Sequence, residues 1–68
     1  MREAWFTFGQ THVHSVNGFT FDKDVVVHIL ADDPRKVMMD TFGPKWGFEY
    51  DKLPNMDYYP RGIYALEP

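Results

Sequence analysis

Hydrophobic and polar positions fall into patterned stretches separated by turn signals. Ala4–Phe8 carries large aromatics at Trp5, Phe6 and Phe8 and reads as a strand; Gly9 interrupts it, where a bulge or a close backbone approach is expected. Gln10–Val16 alternates, with His12 and His14 on one side and Val13 on the other. Asp24–Ile29, Asp-Val-Val-Val-His-Ile, is the most strand-like run in the chain. Between these runs lies Asn17-Gly18, a hairpin signal, because a type I′ turn needs positive φ at both central residues.

A single register carried outward from that turn sets Val16 opposite Phe19, His14 opposite Phe21, Phe8 opposite Val27 and Phe6 opposite Ile29. Phe6, Phe8, Val25, Val27 and Ile29 then share one apolar face. The other face carries Trp5, Thr7, Gly9, Val26, His28 and Leu30, with His28 facing Thr7. Arms of about thirteen residues are long for so small a chain. A bulge near Gly9 or Asp22-Lys23-Asp24 is therefore expected to divide the ribbon into a core section and a protruding tip. One extra residue on one arm would flip the faces beyond it.

Asp33-Pro34 opens a helix: Asp33 suits the N-cap, and Pro34 suits the first helical position, where its missing N–H costs nothing. Val37, Met38, Thr41 and Phe42 share one face at helical spacing, and Arg35, Lys36 and Asp40 point to water. Gly43-Pro44 stops the helix. Lys45–Asp51 alternates again, setting Trp46, Phe48 and Tyr50 on one face of a third strand. Met56–Gly62 reads as irregular, and Ile63–Leu66 as a candidate short edge strand.

The expected fold is α+β: a small antiparallel sheet with one helix packed on one face, in the order β-β-α-β, with an optional short C-terminal strand, forming a single domain over residues 1–68. The face away from the helix must then be covered by the tail or by a second chain. Left open, Trp5, Val26 and Leu30 would form an apolar patch of the kind that marks an interaction site.

Composition sharpens this picture at three points. The 68 residues contain no cysteine, which excludes disulfides and thiolate metal sites and leaves His/carboxylate metal binding or oligomerisation as routes to extra stability. Six Phe, four Tyr and two Trp exceed what one small core is expected to absorb, so some rings belong at a surface or an interface. Seven basic residues are scattered and the net charge is −3, a poor footprint for nucleic acid. No apolar run reaches membrane-spanning length, and Met1–Trp5 leads into a strand pattern rather than a signal peptide, so a cytoplasmic location is expected.

Candidate chemistry is sparse. His12 and His14, two apart in a strand, point the same way and could share a metal with Asp22 or Asp24 across the hairpin. A solvent-facing His pair accounts for the same pattern, so no metal or other cofactor is assigned. His28 stands alone in the central strand, and a half-buried sheet histidine explains it as well as a general base does. Tyr58-Tyr59-Pro60-Arg61-Gly62 is the most contact-like segment, because Tyr and Arg dominate interface hot spots; packing of the tail on the open sheet face is the plainer alternative. Trp5, His28, Tyr58, Tyr59 and Arg61 are the interaction candidates. No nucleophile arrangement or phosphate loop is present, so a non-enzymatic role is expected.

At Trp5-Phe6-Thr7-Phe8-Gly9-Gln10-Thr11-His12, Asn17-Gly18, Asp22-Lys23-Asp24 and Phe42-Gly43-Pro44-Lys45-Trp46 the chain resembles small accessory proteins encoded by tailed phages of actinobacteria. The resemblance implies a protein made in the host cytoplasm that binds a host or defence-system protein. It carries no catalytic residues. With the surplus of aromatics, the expectation is a homo-oligomeric binding protein. The alternatives are a nucleotide-signal binder whose pocket, at a dimer interface, is lined by Tyr58, Tyr59, Arg61 and His28, and a His/Asp metal-binding domain.

Overall fold

The computed structural model describes residues 1–66. Six strands, one α-helix and one 3₁₀ turn follow in the order β1 (Arg2–Thr7), β2 (His14–Val16), β3 (Phe19–Phe21), β4 (Val25–Ala31), α1 (Pro34–Phe42), β5 (Glu49–Tyr50), the 3₁₀ turn (Met56–Tyr58) and β6 (Gly62–Leu66). The main sheet has strand order β5-β1-β4-β6, and β2-β3 forms a separate hairpin. β1 runs antiparallel to β4 and to β5, whereas β6 runs parallel to β4. The fold is α+β as expected, but its sheet is mixed rather than antiparallel.

The hairpin register holds at the tip and changes at the base. Asn17 and Gly18 adopt φ of 53° and 81°, as a type I′ turn requires, and Val16 pairs with Phe19 and His14 with Phe21. In the main sheet Phe6 pairs with Val27 and Trp5 with His28, a slip of two residues from the single-register expectation. His28 therefore lies opposite Trp5, not Thr7. Side chains alternate with period two, so an even slip leaves every residue on its predicted face. Ala4, Phe6, Val25, Val27 and Ile29 all enter the core, joined by Met38 and Phe42 of α1.

The tip does not protrude. It folds back onto the helix side, where Phe21 meets Phe8, Phe42 and Tyr64 with ring centroids 4.9–6.1 Å apart, and Phe19 meets Tyr64 at 5.0 Å. Offset and edge-on contacts of this kind add to the stabilisation from burial itself. The refolded hairpin absorbs most of the expected aromatic surplus: only Phe48, Tyr50 and Tyr58 among the twelve rings are exposed.

Helix α1 begins and ends where its caps dictate. The Asp33 side chain accepts from the Lys36 N–H at 3.2 Å, Pro34 follows, and the Gly43 N–H closes the last turn on the Met39 carbonyl at 2.8 Å. The next segment departs from the alternation that was expected of it. Gly47 passes so close to β1 that a Cβ there would sit 3.1 Å from the Thr7 carbonyl oxygen. Its N–H donates to that oxygen at 2.7 Å, and the Thr7 N–H donates to the Phe48 carbonyl at 3.0 Å. The chain turns at this point, and Trp46 goes to the core side, edge-on to Phe6 at 5.1 Å, while Phe48 and Tyr50 are left exposed. The third strand is consequently only Glu49–Tyr50.

Two crossovers complete the sheet. Residues 32–48 carry the chain from β4 to β5 through α1, and residues 51–61 carry it back across the sheet to β6. They travel in opposite directions between parallel strands, so a common right hand sets them on opposite faces. Burial agrees: Thr7 and Val26 point away from the helix and are nevertheless buried. No helix among the described residues is long and apolar enough to cross a membrane.

Candidate binding surface

The sheet face opposite α1 is assembled by cross-strand pairing. One transverse row reads Tyr50, Trp5, His28 and Ala65, a residue from each of the four strands. Leu30 adjoins the row at one end of the sheet, and Phe48 and Ile63 adjoin it at the other. Phe48 is 68% exposed, Leu30 49%, Ile63 48% and Tyr50 37%, so the large apolar side chains here meet water. Between Phe48 and Ile63, Thr7 and Val26 are buried at the centre of this face.

His28 and Trp5 hold the centre. Their rings lie 5.0 Å apart, tilted by 36°, and His28 Nε2–H donates to Glu3 Oε2 at 3.0 Å. That hydrogen bond fixes the orientation of a half-buried imidazole whose neighbours are a ring and an aliphatic strand. Phe48 and Tyr50 stand 6.3 Å apart along the β5 edge. Trp5 and His28, expected as contact residues, are brought together by the structure.

The other candidates disperse. Arg61 Nη1 donates to the Thr20 carbonyl at 2.7 Å and to Asp22 Oδ2 at 3.2 Å, with the guanidinium 5.0 Å above the Phe19 ring. It clasps the hairpin from the core side, away from His28. Tyr58 is 74% exposed on the 3₁₀ turn and Tyr59 is half-buried. Within one chain Tyr58, Tyr59, Arg61 and His28 do not line one pocket, because Arg61 and His28 lie on opposite sides of the sheet.

The histidine metal site fails for a related reason. His12 Nδ1 accepts the Gly9 N–H at 2.9 Å, inside a turn closed by the His12 N–H to the Gly9 carbonyl at 3.0 Å. His14 packs on Phe8 and Phe42, and its Nε2–H donates to the Lys45 carbonyl at 2.6 Å. Asp22 is committed to Arg61 and to the Asp24 N–H. Among the described residues no three His, Asp or Glu side chains gather closely enough to hold a metal ion.

A second feature escaped the sequence reading. Between the start of α1 and the segment after it runs an open groove of about 580 Å³, lined by Asp33, Arg35, Lys36, Met39, Pro44 and Trp46. The Arg35 guanidinium lies 5.5 Å from the centre of the Trp46 indole and 3.9 Å from Glu49, which also pairs with Arg2 at 3.2 Å. The Trp46 Nε1–H is buried without an acceptor. The turn at Gly47 brings Trp46 to this side, whereas the alternating pattern had set it on one face with Phe48 and Tyr50. Comparison with protein-family models, with curated proteins and with solved structures finds no match to the chain.

Proposed function

We propose that the protein is a non-enzymatic, homo-oligomeric phage accessory protein that binds a host or defence-system protein in the host cytoplasm through the row Tyr50–Trp5–His28, flanked by Leu30 and Phe48. The carrying observation is the exposure of Phe48, Tyr50 and Leu30 around a Trp–His pair on a rigid sheet. Aromatic side chains concentrate binding energy at interfaces, and a sheet presents them already ordered, which lowers the entropic cost of association. The phage assignment rests on the sequence resemblance. The test is affinity capture from an actinobacterial host lysate with the full chain and with a Leu30→Asp/Phe48→Asp variant, the captured proteins being identified by mass spectrometry. A protein retained by the parent and lost by the variant supports the reading. Equal capture by both, or none by either, rejects it.

A second reading, small-ligand binding, is favoured by the Arg35–Trp46 groove, where a planar anion would stack on the indole and meet the guanidinium. A nucleotide panel scored by thermal shift on the parent and on Arg35→Gln distinguishes this from protein binding.

A further inference from the structure

The two edges of the sheet are unlike. β5 is two residues long, includes Glu49, and is followed by Asp51, Lys52 and Pro54. Short length, charge and proline are the devices that keep an edge from pairing with another chain. β6 is longer, and the nearest prolines and charges in the sequence, Pro60-Arg61 before it and Glu67-Pro68 after it, lie outside the strand. Gly62-Ile63-Tyr64-Ala65-Leu66 is five residues long, contains no charge and no proline, and stands at the end of the sheet, with no strand beyond it among the described residues. No turn or loop hydrogen bond among the described residues occupies the backbone of 63–66. An edge strand leaves alternate N–H and C=O groups pointing outward, and a second strand satisfies them.

We propose that β6 pairs with β6 of a second copy, antiparallel across a two-fold axis at Tyr64. This deepens the homo-oligomeric part of the reading above. Full overlap of the five residues sets Ile63 opposite Ala65 of the second copy and Tyr64 opposite its own equivalent. A second copy fits for three reasons. A two-fold antiparallel pair is self-complementary, so one strand supplies both halves. The absence of charge from Gly62 to Leu66 lets two chains of net charge −3 meet without like charges opposed along the ladder. Pairing at β6 leaves the guarded β5 edges outermost, so assembly closes at a dimer with one continuous sheet of twice four strands and does not run on into a fibre. The pairing also joins the exposed faces of the two protomers at Ile63 and Ala65.

Light scattering after size exclusion on the full chain tests this, with two variants at exposed positions that leave the core alone. The parent is expected at twice the chain mass. Ile63→Lys with Ala65→Lys opposes lysine to lysine twice across the axis and is expected to halve the mass. Ile63→Lys with Ala65→Glu opposes lysine to glutamate and is expected to restore the dimer, a rescue that loss of folding would not give. Circular dichroism checks that all three chains are folded. A monomeric parent, a dimer indifferent to the double lysine, or failure of the lysine–glutamate pair to restore the mass each overturns the proposal. A monomer that still captures a host protein overturns the edge pairing alone; an intact dimer that captures nothing overturns the aromatic row alone.

Discussion

Replacing Phe21 tests whether the β2-β3 hairpin belongs to the core. Phe21 is 1% exposed and lies within ring-contact distance of Phe8, Phe19, Phe42 and Tyr64. Truncation of such a ring to alanine costs about 3–5 kcal/mol. A domain of this length has roughly 3–10 kcal/mol of stability in total, so Phe21→Ala is expected to leave much of the population unfolded. Phe21→Leu is the measurable variant. It loses three buried carbons at about 0.8 kcal/mol each, together with part of the aromatic contact energy, for a total of about 3 kcal/mol. Urea unfolding followed by tryptophan fluorescence reads this directly. With a slope near 1 kcal/mol per molar for a small protein, the midpoint falls by about 3 M at unchanged slope. Val13→Ala, at a position 65% exposed, serves as the surface control and is expected to cost under about 0.5 kcal/mol. A Phe21→Leu midpoint shift no larger than the control's would mean that the hairpin stands in solvent and that the aromatic cluster is not formed.

Gly47→Ala is expected to destabilise by about 1–3 kcal/mol, measured in the same urea titration, because the added methyl meets the Thr7 backbone carbonyl, which cannot rotate away. Arg61→Met removes the two hydrogen bonds that tie the hairpin to the start of β6. The site is partly exposed, so the loss is about 1 kcal/mol, and the sharper signal is faster amide exchange confined to residues 14–21. At the Lys36 ammonium, the hydrogen bond to Asp40 and then its charge raise the pKa above the ordinary 10.5. A raised folded-state value means that this contribution is fully present below pH 10.5 and is lost as pH rises through the folded pKa. The small melting-temperature difference between the parent and Lys36→Met is therefore expected to be constant from pH 7 to 9 and to vanish at the alkaline end.

The exposed sheet face carries the functional reading, and its composition follows from the crossovers. At the centre of this face Thr7 and Val26 are buried, while Phe48 and Ile63, at the same level in the outer strands, stay exposed. Large side chains at Phe48, Tyr50 and Leu30 remain in water, where they cost solubility without strengthening the core. The preordered Trp5–His28 pair at their centre gives that surface a rigid middle, and β6 offers the same face a route to doubling.

Much of this arrangement is local and was legible from the residues alone. Positive φ at Asn17 and Gly18, the Asp33 cap with Pro34 behind it, and the alternation of Phe6, Val25, Val27 and Ile29 are set by neighbours in the chain. The face assignments survived a misjudged register because an even slip preserves them. Three features needed the tertiary fold, since each depends on contacts between residues far apart in sequence. The hairpin tip turns inward because Arg61 and the Phe8–Phe42 rings receive it. Trp46 leaves its alternating partners because Gly47 must approach the Thr7 backbone. β6 lies parallel to β4 because the chain leaves β5 at one edge and returns over the far face to the other, and that path determines which edge of the sheet is left open.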